Sequence, residues 1–339
     1  MPAAVTRLLT TVTLVAAMLP LAAPAGAARP SGERVDRPAP QRAVQRVIGD
    51  GTAASCTSAA VVRAVAKGGE ISFDCGPDPV TIRMRRTAKV VNTSPLVVLD
   101  GGGLITLSGR DKRRILYQNT CDRDQVWTTD HCQNQAEPRL VVRGMRFIDG
   151  NSTGAKKDGG GGGIFVRGGR LKIVRSEFVG NRCERRGPDI GGGAVRVLDQ
   201  FRDRAVRVRG SVFRGGRCSN GSALSSIGVS WRIVDSRFTR NRAIGRGANP
   251  PRPGTPGGGS GGAIYMDGNR IHLRVTDSVM RRNWAREGGG AIFFVSNNRT
   301  GTLTIDSSTL VRNPSQGFET LPGIFFLGRS RTITDSVVK

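Results

Sequence analysis

The chain has 339 residues, with 52 Lys+Arg against 26 Asp+Glu for a formal net charge of +26, 47 glycines and 5% aromatics. That length can bury a sizeable core and excludes a scaffold held by disulfides alone. The low aromatic content argues against a core rich in Trp, Tyr and Phe, two histidines exclude a His-rich metal site, and the glycines imply frequent turns.

Arg7 is the only charge in the first 28 residues, and Leu8 to Ala23 is mostly apolar with Pro20 near its end. Ala25-Gly26-Ala27 fits the small-x-small cleavage rule, so residues 1–27 read as a signal peptide rather than a membrane anchor. The first cysteine is Cys56, so no lipoprotein cysteine sits at the cleavage point. The expected location is therefore extracellular or associated with the cell wall, with no transmembrane segment in the mature chain. Residues 28–50 hold Pro30, Pro38, Pro40 and five arginines without an apolar period, which reads as a Pro/Arg-rich linker. Residues 51–339 are expected to form one domain.

The pattern AAVVRAVA over Ala59–Ala66 predicts a short helix stopped by Gly68-Gly69. Strand-like runs follow at Glu70–Phe73, Val80–Met84, Leu96–Leu99 and Leu104–Leu107, with Asp100-Gly101-Gly102-Gly103 as a turn between the last two.

From Leu140 the chain repeats itself. Apolar landmarks fall at Phe147, Phe178, Phe213, Phe238, Met280, Leu310 and Val338. Between them lies a second motif, GGGI, GGAV, GSAL, GGAI, GGAI and LPGI, ending at Ile164, Val195, Leu224, Ile264, Ile292 and Ile324. The step from motif to next landmark is 14 to 18 residues, whereas the step from landmark to motif runs from 11 to 26. One side of each repeat is thus nearly constant and the other carries the insertions, as in a solenoid with loops on one face. Alternating runs such as LKIV and VRVR place one side of each strand inward. The expected fold is all-β, a right-handed parallel β-helix with a short N-terminal capping helix.

The third residue after each landmark is Gly150, Asn181, Gly216, Asn241, Asn283 or Asn313. Asn and Gly share a tolerance for left-handed backbone, so the position is expected to be a turn, with Asn side chains bonding from coil to coil. The Gly-Gly pairs are corners, since no P-loop Lys-Ser/Thr follows them.

FxxN followed by GGA, seen as FVGN–GGAV, FTRN–GGAI and MRRN–GGAI, resembles the repeat of the polymorphic outer-membrane protein family. Together with GGEISFDCG and LVVLDGGGLITLSG, it resembles secreted proteins of the pectin-lyase-like right-handed parallel β-helix superfamily over residues 56–339. That resemblance implies the scaffold more than a chemistry. The superfamily includes pectate lyases and polygalacturonases, but this chain has no GHG, no Asp-Asp pair and no RIK, and Pro250-Pro251-Arg252-Pro253 does not match a lyase arginine segment.

Other candidates carry structural readings. Asp235, Asp277 and Asp335 share a strand-end position in the repeat. Asp122, Asp124 and Asp130 lack the Gly and Glu spacing of a calcium loop. His131 beside Cys132 reads as a loop residue, and His272 between Ile271 and Leu273 as solvent-facing. No cofactor is expected, with calcium implied only for a lyase.

The charge points to binding. A net charge of +25 after residue 27 suits a polyanion, and arginine meets carboxylate and phosphate through paired hydrogen bonds. No helix-turn-helix, zinc-finger or RNP motif is present, which argues against sequence-specific nucleic-acid binding. The expected function is non-catalytic attachment to an acidic polysaccharide or other polyanion. The alternatives are a pectate-lyase-like polysaccharide lyase or hydrolase and a structural cell-surface protein. Arg182, Arg217 and Arg242 each lie four residues after a landmark and are expected to form a column ending at Trp284 and Pro314. The insertions add Arg185, Arg186, Arg246, Arg252 and Arg286 on the same side, against Glu184, Asp189 and Glu287. Cys183 and Cys218 lie five residues after successive landmarks, so the register pairs them; Cys56 with Cys75 and Cys121 with Cys132 are the local pairs.

Overall fold

The computed structural model describes residues 43–155 and 158–339. The expected signal peptide and residues 28–42 of the expected linker lie outside the described residues. The first sheet begins ahead of the expected boundary at 51. Gln45–Ile48 is a strand, paired in parallel with Gly69–Phe73 from Gln45↔Glu70 to Ile48↔Phe73. Ile48 alone in that strand is buried, and Val44 and Val47 are exposed, so backbone pairing holds the segment without an apolar period to announce it.

The helix spans Ser58–Lys67. The Thr57 hydroxyl accepts from the Ala60 N–H at 3.2 Å, and Gly68, at φ 66°, returns its N–H to the Ala64 carbonyl at 3.0 Å. Val61, Ala64 and Val65 form the buried stripe and join the same core as Ile48 and Ile71.

Among the described residues the remainder is mostly β, in parallel sheets of 17, 8 and 3 strands. Each repeat, here called a rung, supplies one strand to each ladder. The 17-stranded sheet is two ladders that share the long strands Leu96–Ser108 and Arg139–Ile148. Its first ladder stacks Val142, Ile173, Val208, Ile233, Val275 and Ile305 as inward Cα partners. Its second ladder stacks Phe147, Phe178, Phe213, Phe238, Met280, Leu310 and Val338, the landmark series. The 8-stranded sheet aligns Ile164, Val195, Leu224, Ile264, Ile292 and Ile324, the second-motif series. The core is continuous along the stack.

Few aromatics do not mean an aliphatic core throughout. Phe147, Phe178, Phe213 and Phe238 stack with centroids 5.0, 4.9 and 4.8 Å apart. The rung repeat of about 4.8 Å places identical rings at offset-stacking distance, so a handful of phenylalanines forms one buried column.

Two expectations need correction. Asp100–Gly103 does not divide two strands: Leu96–Ser108 is one strand whose register shifts between Asp100 and Ile105. The chain need not reverse in a parallel ladder, so the glycines form a bulge, with Gly102 at φ 59° and Gly103 at φ 87°. The left-handed residue of the turn that follows each landmark is also not the Asn position. It is one residue earlier, at Asp149, Gly180, Gly215, Arg240, Arg282 and Arg312. The asparagines are there for hydrogen bonds. Asn283 Oδ1 accepts from the Asn241 N–H at 3.0 Å, and its Nδ2 donates to the Phe238 carbonyl at 3.0 Å and to Asn313 Oδ1 at 2.9 Å. Gly150 and Gly216 stand in that row because a Cβ would strike the Gly162 or Ser222 carbonyl.

A second ladder of polar side chains was not read from the sequence. Ser176, Ser211, Ser236, Ser278 and Ser308, two residues before successive landmarks, each accept from the preceding rung: Ser211 N–H to Ser236 Oγ at 3.2 Å and Ser236 N–H to Ser278 Oγ at 3.0 Å are examples. The recurring S-x-F of SEF, SVF and SRF was the available signal.

Candidate functional site

The candidate arginines lie along the 3-stranded sheet Arg217–Cys218, Arg242–Ala243 and Trp284–Ala285, which isolated bridges extend to Arg182, Asn151 and Ser315. Arg182, Arg217, Arg242 and Trp284 are partners in successive rungs. Alternation turns the arginines outward and buries Cys183, Cys218, Ala243 and Ala285 beneath them. The Cys183–Cys218 disulfide joins two rungs here with Cα atoms 4.7 Å apart; Cys56–Cys75 and Cys121–Cys132 are the other two bonds.

The column is not uniform. Arg182 pairs with Asp111 Oδ2 at 3.0 Å, a residue 71 positions earlier. Arg242 lays its guanidinium on the Trp284 ring, 4.9 Å from the centroid. Arg217 lies exposed between them.

The insertion arginines separate in the same way. Arg252 makes two hydrogen bonds to Glu287, at 2.8 and 2.9 Å. Burial opposes ionisation of Glu287, but these bonds and the Gly247 N–H at 2.8 Å outweigh it and hold the carboxyl below its usual range. Arg185, Arg186, Arg246 and Arg286, with Ile244 and Pro256, line one hollow of about 550 Å³. Among the described residues none of these four has an ion-pair partner. The neighbouring acids have partners other than these four guanidiniums: Glu184 accepts from the Gly154 N–H at 3.1 Å and the Arg185 backbone N–H at 3.3 Å, Asp189 from Asn249 Nδ2 at 3.0 Å, and Glu287 from Arg252.

Other arginines serve the fold. Under the insertions, the outward row of the 8-stranded sheet runs through Tyr117, Phe165, Arg196, Ser225 and Tyr265. Arg114 lies over the Tyr117 and Phe165 rings and donates to the Gly161 carbonyl at 3.1 Å and the Gly160 carbonyl at 2.7 Å. Arg196 donates to Ser225 Oγ at 2.9 Å and to the Asp189 carbonyl. Burial lowers the pKa of both to about 10, so both stay charged and pin the loops from below.

A second hollow of about 480 Å³ lies where the same short strands begin, lined by Arg240, Arg242, Arg282, Arg312, Asn283, Trp284 and Pro314. Arg240, Arg282 and Arg312 occupy the left-handed turn position at φ 56°, 56° and 55°, where two earlier rungs use Gly180 and Gly215. An L-residue there costs roughly 1–2 kcal/mol, so three successive arginines mark a position where side chain outweighs backbone comfort. The sequence reading missed them; the R before N in FTRN, MRRN and LVRN was the signal.

The remaining candidates have local roles. Asp122 accepts from the Asp124 N–H at 3.1 Å and the Tyr117 hydroxyl at 2.9 Å. Asp235, Asp277 and Asp335 take left-handed backbone at the corner between the two ladders, at φ 48°, 49° and 45°. His272 is exposed on its strand, with Nδ1 2.8 Å from Thr302 Oγ1, and His131 is an exposed loop residue. Among the described residues no group of three or more His, Cys, Asp and Glu has an arrangement to hold a metal ion, and no helix is long and apolar enough to cross a membrane.

The chain matches no protein-family model, no curated protein sequence and no solved structure.

Proposed function

We propose that the chain is a secreted right-handed parallel β-helix of the pectin-lyase-like superfamily that holds an acidic polysaccharide on its insertion face. The handedness follows from the general rule that parallel crossovers are right-handed. The FxxN and GGA positions fall in register from rung to rung, which supports the superfamily reading. Export agrees with the leader-like N-terminus and with disulfides that need an oxidising compartment.

One observation carries the binding reading: Arg185, Arg186, Arg246 and Arg286 converge on one hollow while the nearby acids bond elsewhere. Close like charges in water repel by about 1 kcal/mol per pair at 4 Å, and a ligand that brings carboxylates between them turns that repulsion into charge-assisted hydrogen bonds. A polymer with one carboxylate per sugar, laid along the stack, presents charges on a scale comparable to the rung repeat of about 4.8 Å. Nucleic acid fits less well, because single strands stack on aromatic faces. No aromatic residue lines the four-arginine hollow, and Arg242 covers a face of Trp284.

The test is retention on polygalacturonate, alginate and glycosaminoglycan resins in rising salt, with absorbance followed for unsaturated product. The reading expects retention that salt releases and no new absorbance. Equal retention on neutral dextran contradicts it, and an unsaturated product makes the protein a lyase.

A further inference from the structure

The outer face of the first ladder carries another cationic row. Lys172, Arg207, Arg232 and Arg274 are Cα partners in four consecutive rungs, and all are exposed. Their inward neighbours Ile173, Val208, Ile233 and Val275 are fully buried, so the strands that bear the row are fixed. At one end Arg139, Arg170 and Arg204 join it to line a groove of about 460 Å³ with an apolar floor of Leu140, Leu171 and Ala205. Among the described residues no carboxylate lines this groove. Burial, then repulsion from Arg139 and Arg204, holds the Arg170 guanidinium below its ordinary pKa, with Glu137 opposing.

This row is separate from the insertion face. In each rung the second ladder lies between them. Its Glu177 is taken by Arg146 at 2.8 Å and Arg214 at 3.6 Å. In the rungs of Arg232 and Arg274 the intervening corner carries exposed Asp235 and Asp277. On the other side of the rung Asp189, Asp203 and Asp267 line a shared hollow, so carboxylates stand between the two rows there as well.

We propose that the Lys172–Arg207–Arg232–Arg274 row is a second binding site for a polycarboxylate polysaccharide, and that the protein bridges two such chains, one on each face. The second site stands on its own; the bridging rests on the insertion-face reading. No aromatic side chain lines the groove, which favours a sugar polymer over single-stranded nucleic acid.

The experiment uses oligogalacturonate in calorimetry and long polygalacturonate in light scattering. Three variants are compared: K172Q/R207Q/R232Q/R274Q on the row, R185Q/R186Q/R246Q/R286Q on the insertion face, and the charge-matched R63Q/R83Q/R85Q/R86Q. Circular dichroism checks folding, and lysine in place of each arginine keeps the charge if glutamine disturbs the strand. The wild type and the control are expected to take up about two oligomers and to scatter strongly with the long polymer, while each face variant takes up about one and does not scatter. A row variant that still takes up two oligomers and scatters overturns the second site. A control that loses as much as the row variant also overturns it, because charge then acts diffusely. Single-stranded DNA bound through the row in place of oligogalacturonate overturns the choice of ligand. If the insertion variant alone keeps full uptake, the insertion-face reading fails while the row stands.

Discussion

Asn283 shows how a single buried side chain joins three rungs. It accepts from Asn241 and donates to Phe238 and Asn313, so removing it leaves a buried N–H and a buried carbonyl without partners. N283A is expected to lose about 2–4 kcal/mol in urea denaturation, whereas an exposed Arg281→Gln change is expected to be near neutral. The turn arginines should behave in the opposite sense. R240G/R282G/R312G removes three left-handed L-residues, so its stability should hold or rise by up to about 1 kcal/mol per site, while affinity for polygalacturonate falls. Equal affinity would show that these arginines serve neither fold nor ligand. Glu287 sets a pH prediction. Its folded pKa is below the ordinary 4.5, so its stabilisation is fully present above that value and is lost as pH falls through the folded pKa. E287Q should therefore be less stable than wild type at neutral pH and equal to it in strong acid; a gap that persists in acid contradicts the ion pair as its cause.

At the scale of elements, the landmark column and the second-motif column were legible because apolar residues recur at the same point of every rung. The disulfide Cys183–Cys218 followed from the same register. The bulge at Asp100–Gly103 was not legible, because local glycine chemistry reads the same in a bulge and in a reversal. Partners distant in sequence were equally invisible: nothing near Arg182 points to Asp111. The Asn row was placed correctly for an incomplete reason, since the left-handed residue and the hydrogen-bonding residue are adjacent and only coordinates separate them. The phenylalanine column gives a direct check. F213A leaves a hole between Phe178 and Phe238 and should cost about 3–5 kcal/mol. F213L, a residue type that Leu310 already places in this column, should cost less than about 1.5 kcal/mol.

For the molecule as a whole, net charge suits a polyanion but does not say which basic side chains would meet it. The arginines divide by surroundings into buried pins such as Arg114 and Arg196, paired ones such as Arg182 and Arg252, and unpaired ones that face a common hollow. Of these three groups only the last leaves its guanidiniums unpaired for a ligand on the insertion face, and the binding reading there depends on that division. It is tested by titrating oligogalacturonate against R185Q/R186Q/R246Q/R286Q and R63Q/R83Q/R85Q/R86Q over a range of salt. Both variants lose the same charge. The first is expected to weaken binding at the insertion face at least tenfold and to flatten the dependence of log Kd on log salt there, while the second stays close to wild type. Equal losses and equal slopes in the two would contradict it.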